Sequence, residues 1–342
     1  MDKLKLADWV LDYLPKSTKI AGNLELDPLT GDAGFRQYFR LNTSPALIAV
    51  NSPPDKENNS AYIDISLALQ AMDIIRPRIY AVDYAQGFLL LEDFGNRHLH
   101  STLSLKSIDF RYDQAEEMLL SLQKANKGSG IFPVYDEQAL SQEFDLFATW
   151  FVDRLLGLHI EMVDIKMLAE LRSYLVNTAL SQPQVLVHRD YHSRNLMVLS
   201  NDQLGMIDFQ DAVIGPITYD LVSLLKDCYI SWPRDMVIPR VANYKQKLTD
   251  AGLLSDMDSK KFLGWFDLMG LQRHIKVLGI FARLALRDEK SAYLKDLPLV
   301  IGYVLATAAH YPQTAKFSHW FDAKVMPKKK KKKWFDESHF KE

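Results

Sequence analysis

A single cysteine, Cys228, stands in a chain of 342 residues, which excludes an internal disulfide framework and fits a reducing compartment. Neither sign of charge is in excess. Against 41 Lys and Arg stand 43 Asp and Glu, so a net charge of −2 supplies no general pull toward nucleic acid or anionic membranes. Long apolar runs are missing too: the longest, Leu297 to Ala309, contains Pro298 and is too short to span a bilayer. The opening residues, Met1-Asp2-Lys3-Leu4-Lys5, lack the apolar core of a signal peptide. No period of about 20–50 residues recurs, which excludes a solenoid. What is there is ordinary for a globular protein, 48% hydrophobic and 25% charged, in a length that suits two domains or one two-lobed unit. A cytoplasmic protein is the expectation, with no nucleic-acid or membrane partner.

The chemistry is concentrated in one stretch. The apolar run Val185-Leu186-Val187 delivers His188, Arg189 and Asp190; four residues separate Asp190 from Asn195, and a second apolar run, Leu196 to Leu199, follows. Strand, polar loop, strand is the simplest reading. A further short strand, Leu204 to Ile207, ends in Asp208-Phe209, so Asp190, Asn195 and Asp208 are expected at the mouth of one hairpin. Phosphoryl transfer from ATP requires such a set: a carboxylate accepts the proton of the attacking hydroxyl, while an amide oxygen and a second carboxylate hold magnesium. The spacing is that of the protein-kinase loop H-R-D-x-x-x-x-N, and Asp208-Phe209 stands where D-F-G belongs. A lone H-x-D would more simply cap and solvate a loop. Here the Asn spacing, the flanking strands and the Ile-Asp-Phe coincide, which favours catalysis.

Elsewhere the pattern splits the chain in two. Residues 4–14 read as a helix ended by Pro15. Gly31-Asp32-Ala33-Gly34 leads into alternation, with Phe35, Gln37 and Phe39 on one face and Arg36, Tyr38 and Arg40 on the other. That predicts a hairpin whose turn can lay N–H groups on phosphates. Strands follow at 46–50, 79–82 and 87–91, with a helix over 60–73, and Leu91-Glu92-Asp93-Phe94-Gly95 passes from strand into an open link suited to binding adenine. From residue 96 the pattern turns helical, with helices expected over 109–126, 137–157, 163–181, 217–230, 235–251, 259–287 and 297–310. The expected fold is α+β, a small antiparallel β lobe over 1–95 followed by a mostly helical lobe over 96–326. The tail, 327–342, carries the run Lys328 to Lys333 and is expected to be disordered and solvated.

These motifs, with Tyr219-Asp220-Leu221, resemble the aminoglycoside phosphotransferase and choline kinase-type superfamily, small-molecule relatives of protein kinases with a two-lobed protein-kinase-like fold. More narrowly, the stretches 31–40, 89–93, 188–197, 207–212, 215–221 and 269–274 resemble the bacterial anomeric N-acetylmuramate/N-acetylglucosamine kinases. Those enzymes phosphorylate the C1 hydroxyl in cell-wall recycling. The resemblance covers about residues 30–310 and implies ATP and Mg2+ as cofactors, a small amino sugar as partner and a monomer. It implies Asp190 as base, Asn195 and Asp208 as metal ligands, and backbone at Gly31, Asp32, Ala33, Gly34 and Phe35 over the phosphates, with Arg36 beside it. Glu92 and Phe94 would hold adenine, and His192, Arg194, Asp211 and Arg273 would meet the sugar. His188 and Asp220 would be structural, Asp220 bracing the loop.

One expected part is missing. The third strand, Leu47-Ile48-Ala49-Val50-Asn51, has no lysine for the α- and β-phosphates, which leaves Arg36 or Arg40, or else Lys56, to supply the cation. Arg273, His274, Lys276, Arg283 and Arg287 disfavour a polycationic aminoglycoside, and Arg273 and Lys276 are suited to the lactyl carboxylate of N-acetylmuramate. The plainer expectation for basic residues on a long helix is a solvated face. The rival within the superfamily is another hydroxyl acceptor, on an aminoglycoside, choline, homoserine or another sugar. A pseudokinase scaffold would have lost the base or a metal ligand, and neither is lost.

Overall fold

The computed structural model of the chain describes residues 3–29, 34–125, 130–329 and 332–334. It divides into two compact units, Met1–Met118 with Arg194–Asp211, and Leu119–Ser193 with Ala212–Glu342. The division does not fall at residue 95. Backbone bonds tie the hairpin after the catalytic loop to the first unit: Val198 N–H donates to the Arg97 carbonyl (2.7 Å) and Met206 N–H to that of Ile75 (2.9 Å). Arg97 and Arg111 both reach Asp202 at its turn, each at 2.9 Å.

The first unit is built on five antiparallel strands: β1 (Leu26–Leu29), β2 (Gln37–Leu41), β3 (Leu47–Asn51), β4 (Ile79–Asp83) and β5 (Phe88–Glu92), in the order β1-β2-β3-β5-β4. Side chains alternate across a strand, so each face has its own composition. Phe39, Leu41, Leu47, Ala49, Phe88 and Leu90 bury one face under Leu6, Trp9 and Val10 of the N-terminal helix Lys3–Tyr13. Tyr38, Arg40, Ile48 and Leu91 belong to the other face and line a cavity. The helix Asn59–Ala71 starts where Asn58 accepts the Ala61 N–H at 3.0 Å, an N-cap that satisfies one of the free donors of the first turn.

The second unit packs helices around Ser259–Arg287. Sequence periodicity predicts one helix over 137–157; the structure has an α-helix, Glu137–Leu146, that loosens to π pitch over Phe147–Leu155. At that junction Gly279 lies so close that a Cβ would stand 2.5 Å from the Leu146 carbonyl carbon, so only glycine permits this helix crossing. Phe147, Phe151, Phe317, Trp320 and Phe321 form the aromatic part of the core beside it. Among the described residues no single helix is long and apolar enough to cross a membrane. The helix end Met326–Lys329 holds the start of the lysine run, and Trp334 packs half-buried against this core.

The expected hairpin around the catalytic loop is not what forms. Gln184–Val187 pairs with Val213–Pro216, a strand the sequence pattern did not single out, while Leu196–Val198 pairs with Leu204–Met206. Alternation shows that a segment is extended but not which partner completes its ladder. The loop between the two strands is held instead by side-chain carboxylates. The helix expected over 217–230 likewise stops early, at Tyr219–Leu225, and leaves Asp227 off the helix.

Candidate active site

In the first unit, the sheet face, the link after β5 and the hairpin 194–211 enclose a cavity of about 620 Å³, within the range that suits a nucleotide-sized ligand. Its walls include Ile48, Leu91, Glu92, Phe94, Met197 and Ile207. The Phe94 ring packs against Gly205, where a Cβ would come within 2.6 Å of Cε2. Asp93 donates its backbone N–H to Ala46 (3.2 Å), and Glu92 donates to Arg78 (2.8 Å); among the described residues no acceptor takes the Phe94 N–H. Arg40 forks onto Asp93 at 2.5 and 2.9 Å and reaches Asn96 at 2.7 Å, so it is committed at this end of the cavity.

Asn195, Asp208 and Arg194 line the same cavity. Asn195 and Asp208 are adjacent, amide nitrogen to carboxylate at 3.5 Å, and the Ile207 N–H donates to the Asn195 carbonyl at 3.0 Å. Asp208 has φ +64°, a left-handed conformation that Asp tolerates better than most residues and that turns its carboxylate out of the strand line. Asn195 and Asp208 thus offer an amide group, whose oxygen can ligate, and a carboxylate, donor types that suit magnesium, which takes one or two protein oxygens and fills its octahedron with phosphate and water. The donor set fits the ion.

Of the three candidates for the missing lysine, Arg36 is held by contacts on the cavity side of the sheet. Its guanidinium stands 3.1 Å from Glu57, donates from Nε to Ser52 Oγ at 3.2 Å and lies 5.1 Å over the Tyr62 ring. Burial pushes the Tyr38 phenol up to about 12, against the opposing Arg36 charge, and the Asp208 and Glu57 carboxylates add to the rise. Arg36, Tyr38 and Asp208 are therefore electrostatic neighbours, at the Asp208 end of the cavity rather than the Arg40 end. Lys56 is turned toward Asp55 at 3.6 Å on the exposed surface. Glu57 was not visible in sequence, because it precedes the helix on which a kinase-like glutamate would be sought. Gly34 and Phe35 are described; the Phe35 N–H donates to Glu57 at 3.0 Å and the residue is 63% exposed. Gly31, Asp32 and Ala33 lie outside the described residues.

In the second unit, two buried carboxylates replace the strand ladder that the loop lacks. Asp220 accepts the His188 N–H at 2.6 Å and the Arg189 N–H at 3.1 Å. Asp227 accepts from Ser193 N–H (3.0 Å) and Oγ–H (2.5 Å), 34 residues back along the chain. Burial pushes Asp220 up to about 7, the two N–H donors and Arg273 pulling against it and Asp190 adding to it. Between these braces Arg189 adopts φ +74°, an uncommon state for a residue with a long side chain.

Asp190 follows directly. Burial alone would raise its pKa, but Lys276, His192, Arg273 and Arg189 outweigh burial and hold it down to about 2, so it is a carboxylate at any working pH. His192 packs edge-on against Tyr229, centroids 5.2 Å apart. The solvated face expected for Arg273 and Lys276 is not found: they are 3% and 6% exposed, because helix Ser259–Arg287 is surrounded through its middle. Arg273 donates to Cys228 Sγ at 3.2 Å while its Nε–H is buried without an acceptor among the described residues. Lys276 reaches Glu143 at 2.9 Å and Tyr219 Oη at 3.0 Å. Asp211 is exposed on the turn that follows Gln210.

The phosphotransferase enzyme family model matches residues 25–257. An N-acetylmuramate/N-acetylglucosamine kinase of Pseudomonas aeruginosa is 39% identical over 293 residues, covering 85% of this chain and 86% of that protein. One of the same name from Neisseria meningitidis is 34% identical over 319 residues, 92% of this chain and 93% of that protein. Among solved structures, an ethanolamine kinase of Plasmodium vivax superposes with a TM-score of 0.61 at 13% identity, covering 92% of this chain and 97% of its own. An ADP-bound aminoglycoside phosphotransferase, APH(2'')-Ib, gives 0.59 at 15%, covering 89% and 98%. The protein-kinase-like α+β fold expected from the sequence is thus the fold of the chain.

Proposed function

The chain belongs to the phosphotransferase enzyme family, and from that premise we propose that it is an ATP-dependent kinase that phosphorylates the C1 hydroxyl of N-acetylmuramate and N-acetylglucosamine. The observation that carries the acceptor class is the pair of buried cations beside Asp190. Arg273, with an unsatisfied Nε–H, suits an anionic sugar acid and repels a polycation. The relatives of that name span most of the chain, whereas the aminoglycoside and ethanolamine kinases share its fold at 13–15% identity.

In this reading adenine lies on Phe94 and takes the free Phe94 N–H, and Arg36 offsets charge on the phosphates. Magnesium held by Asn195 and Asp208 would neutralise the β- and γ-phosphates. Asp190 orients the C1 hydroxyl. As the bond from the C1 oxygen to the γ-phosphorus forms and the bond to the ADP oxygen breaks, the hydroxyl proton passes to Asp190. With a pKa of about 2 the carboxylate is a weak base, so the proton moves late, as the oxygen acquires its bond to phosphorus. Arg273 holds the lactyl carboxylate of the acid sugar. The enzyme works in the cytoplasm as a monomer and returns cell-wall amino sugars to use.

A panel of sugars with ATP and magnesium, followed by phosphorus NMR, tests this. N-acetylmuramate and N-acetylglucosamine should give anomeric phosphates, and their C1 methyl glycosides should be inert. Phosphate on another hydroxyl, or turnover of the methyl glycosides, would overturn the C1 assignment.

A further inference from the structure

We propose that Glu143 is the positioning residue of the catalytic loop, clamping Arg189 and Lys276 beside Asp190 through one buried carboxylate. The proposal rests on the kinase reading above and adds a residue that the motif does not contain. Glu143 lies on helix Glu137–Leu146, 46 residues before Arg189. Its Oε1 takes both the Arg189 guanidinium and Lys276 Nζ, the latter at 2.9 Å, and its Oε2 accepts the Tyr135 hydroxyl. Lys276 is fixed from a second side by Tyr219 Oη at 3.0 Å, and the Arg189 guanidinium lies 5.3 Å over the Tyr135 ring.

The geometry gives the clamp a task. Arg189 immediately precedes Asp190 and has φ +74°, which its backbone contact to Asp220 and its side-chain contact to Glu143 hold between them. Releasing the side chain removes one of the two restraints on the residue that aims Asp190. The same carboxylate compensates two buried cations. Burial alone would discharge Lys276, and Glu143 with Tyr219 and Asp190 holds its pKa above the usual lysine value, with Arg189 opposing. A filler of space would supply neither effect.

The test compares Glu143→Gln, which keeps shape and removes charge, with Glu143→Asp, which keeps charge and shortens reach. For Glu143→Gln the expected result is a kcat at least tenfold lower with an unchanged KM for ATP, since Glu143 holds Arg189 and Lys276 and does not line the proposed nucleotide cavity. Its alkaline limb should also lie at lower pH than that of the native enzyme, because Lys276 loses the anion that keeps it charged. Glu143→Asp should recover part of the kcat and restore the alkaline limb. A folded Glu143→Gln enzyme with kcat within twofold of native and the native pH profile overturns the proposal. Should Glu143→Gln fail to fold, a native kcat in Glu143→Asp overturns it, and a reduced kcat at native ATP affinity supports it. If the native enzyme accepts no amino sugar, the proposed substrate fails by itself, and the Glu143 comparison is made with whichever hydroxyl acceptor the enzyme does use.

Discussion

Gly205→Ala adds one methyl group to the protein and should act on ATP. The new Cβ would lie 2.6 Å from Phe94 Cε2 and 3.2 Å from Ile75 Cγ2. Ordinary contact begins near 3.4 Å, so the ring edge must retreat by about 0.8 Å, the difference from 2.6 Å. Gly205 does not have a positive φ, so the backbone accepts alanine and the effect is steric alone. Phe94 lines the cavity and can yield into it at small cost to the fold, but that space is the proposed adenine site. Overpacking typically costs about 1–3 kcal/mol. If most of it falls on the bound nucleotide, ATP affinity drops about 5- to 150-fold, at 1.4 kcal/mol per tenfold. Calorimetric titration with ATP and magnesium measures this, alongside the thermal midpoint and the KM for sugar. The expected pattern is weakened ATP binding, a small change in Tm and an unchanged sugar KM. Native ATP affinity in the folded variant would refute the placement of adenine against Phe94.

Asp190→Asn should lower kcat by about 10²–10⁴-fold with ATP affinity nearly intact, because an amide cannot accept the hydroxyl proton; steady-state kinetics with most of the native kcat would remove Asp190 from that role. Asp208→Ala and Asn195→Ala should each weaken magnesium-dependent nucleotide binding, and magnesium titrations matching the native curve in both variants would count against the metal assignment. Arg36→Ala should raise the KM for ATP about tenfold or more, the scale of a charge-assisted hydrogen bond, while Arg40→Ala, whose side chain is committed to Asp93, should change it less; equal effects would return the phosphate cation to question. Asp220, raised to about 7 by burial, holds its proton more tightly in the folded chain. Its contribution to stability is therefore full below the unfolded carboxyl pKa and lost as pH rises through 7, so the fall in Tm from pH 4 to 8 should be shallower in Asp220→Asn.

Local chemistry was legible where it depends on neighbours in the chain. The helix Ser259–Arg287 has the bounds its periodicity predicts, and the alternation around Tyr38 sorts its strand into a core face and a cavity face as expected. Asp190, Asn195 and Asp208 stand out as candidates because phosphoryl transfer needs such groups within a short span. Strand partners could not, because Val185–Val187 and Leu196–Val198 are equally extended whichever segment completes them.

What only the tertiary structure decided are the contacts that bring distant residues to the loop. Periodicity on helix Ser259–Arg287 marks its apolar residues but cannot show that helices pack around its middle, and so Arg273 and Lys276 turn out buried beside a carboxylate instead of solvated. Glu57, Glu143 and Asp227 carry no motif: each is an ordinary acidic residue until folding sets it against Arg36, Arg189 or Ser193. The sequence by itself singled out the groups proposed to do the chemistry, since reactivity belongs to residue type and short spacing. Their charge states, and the carboxylates that hold the loop, depend on burial and on partners 20 or more residues away, which exist only once the chain has closed on itself.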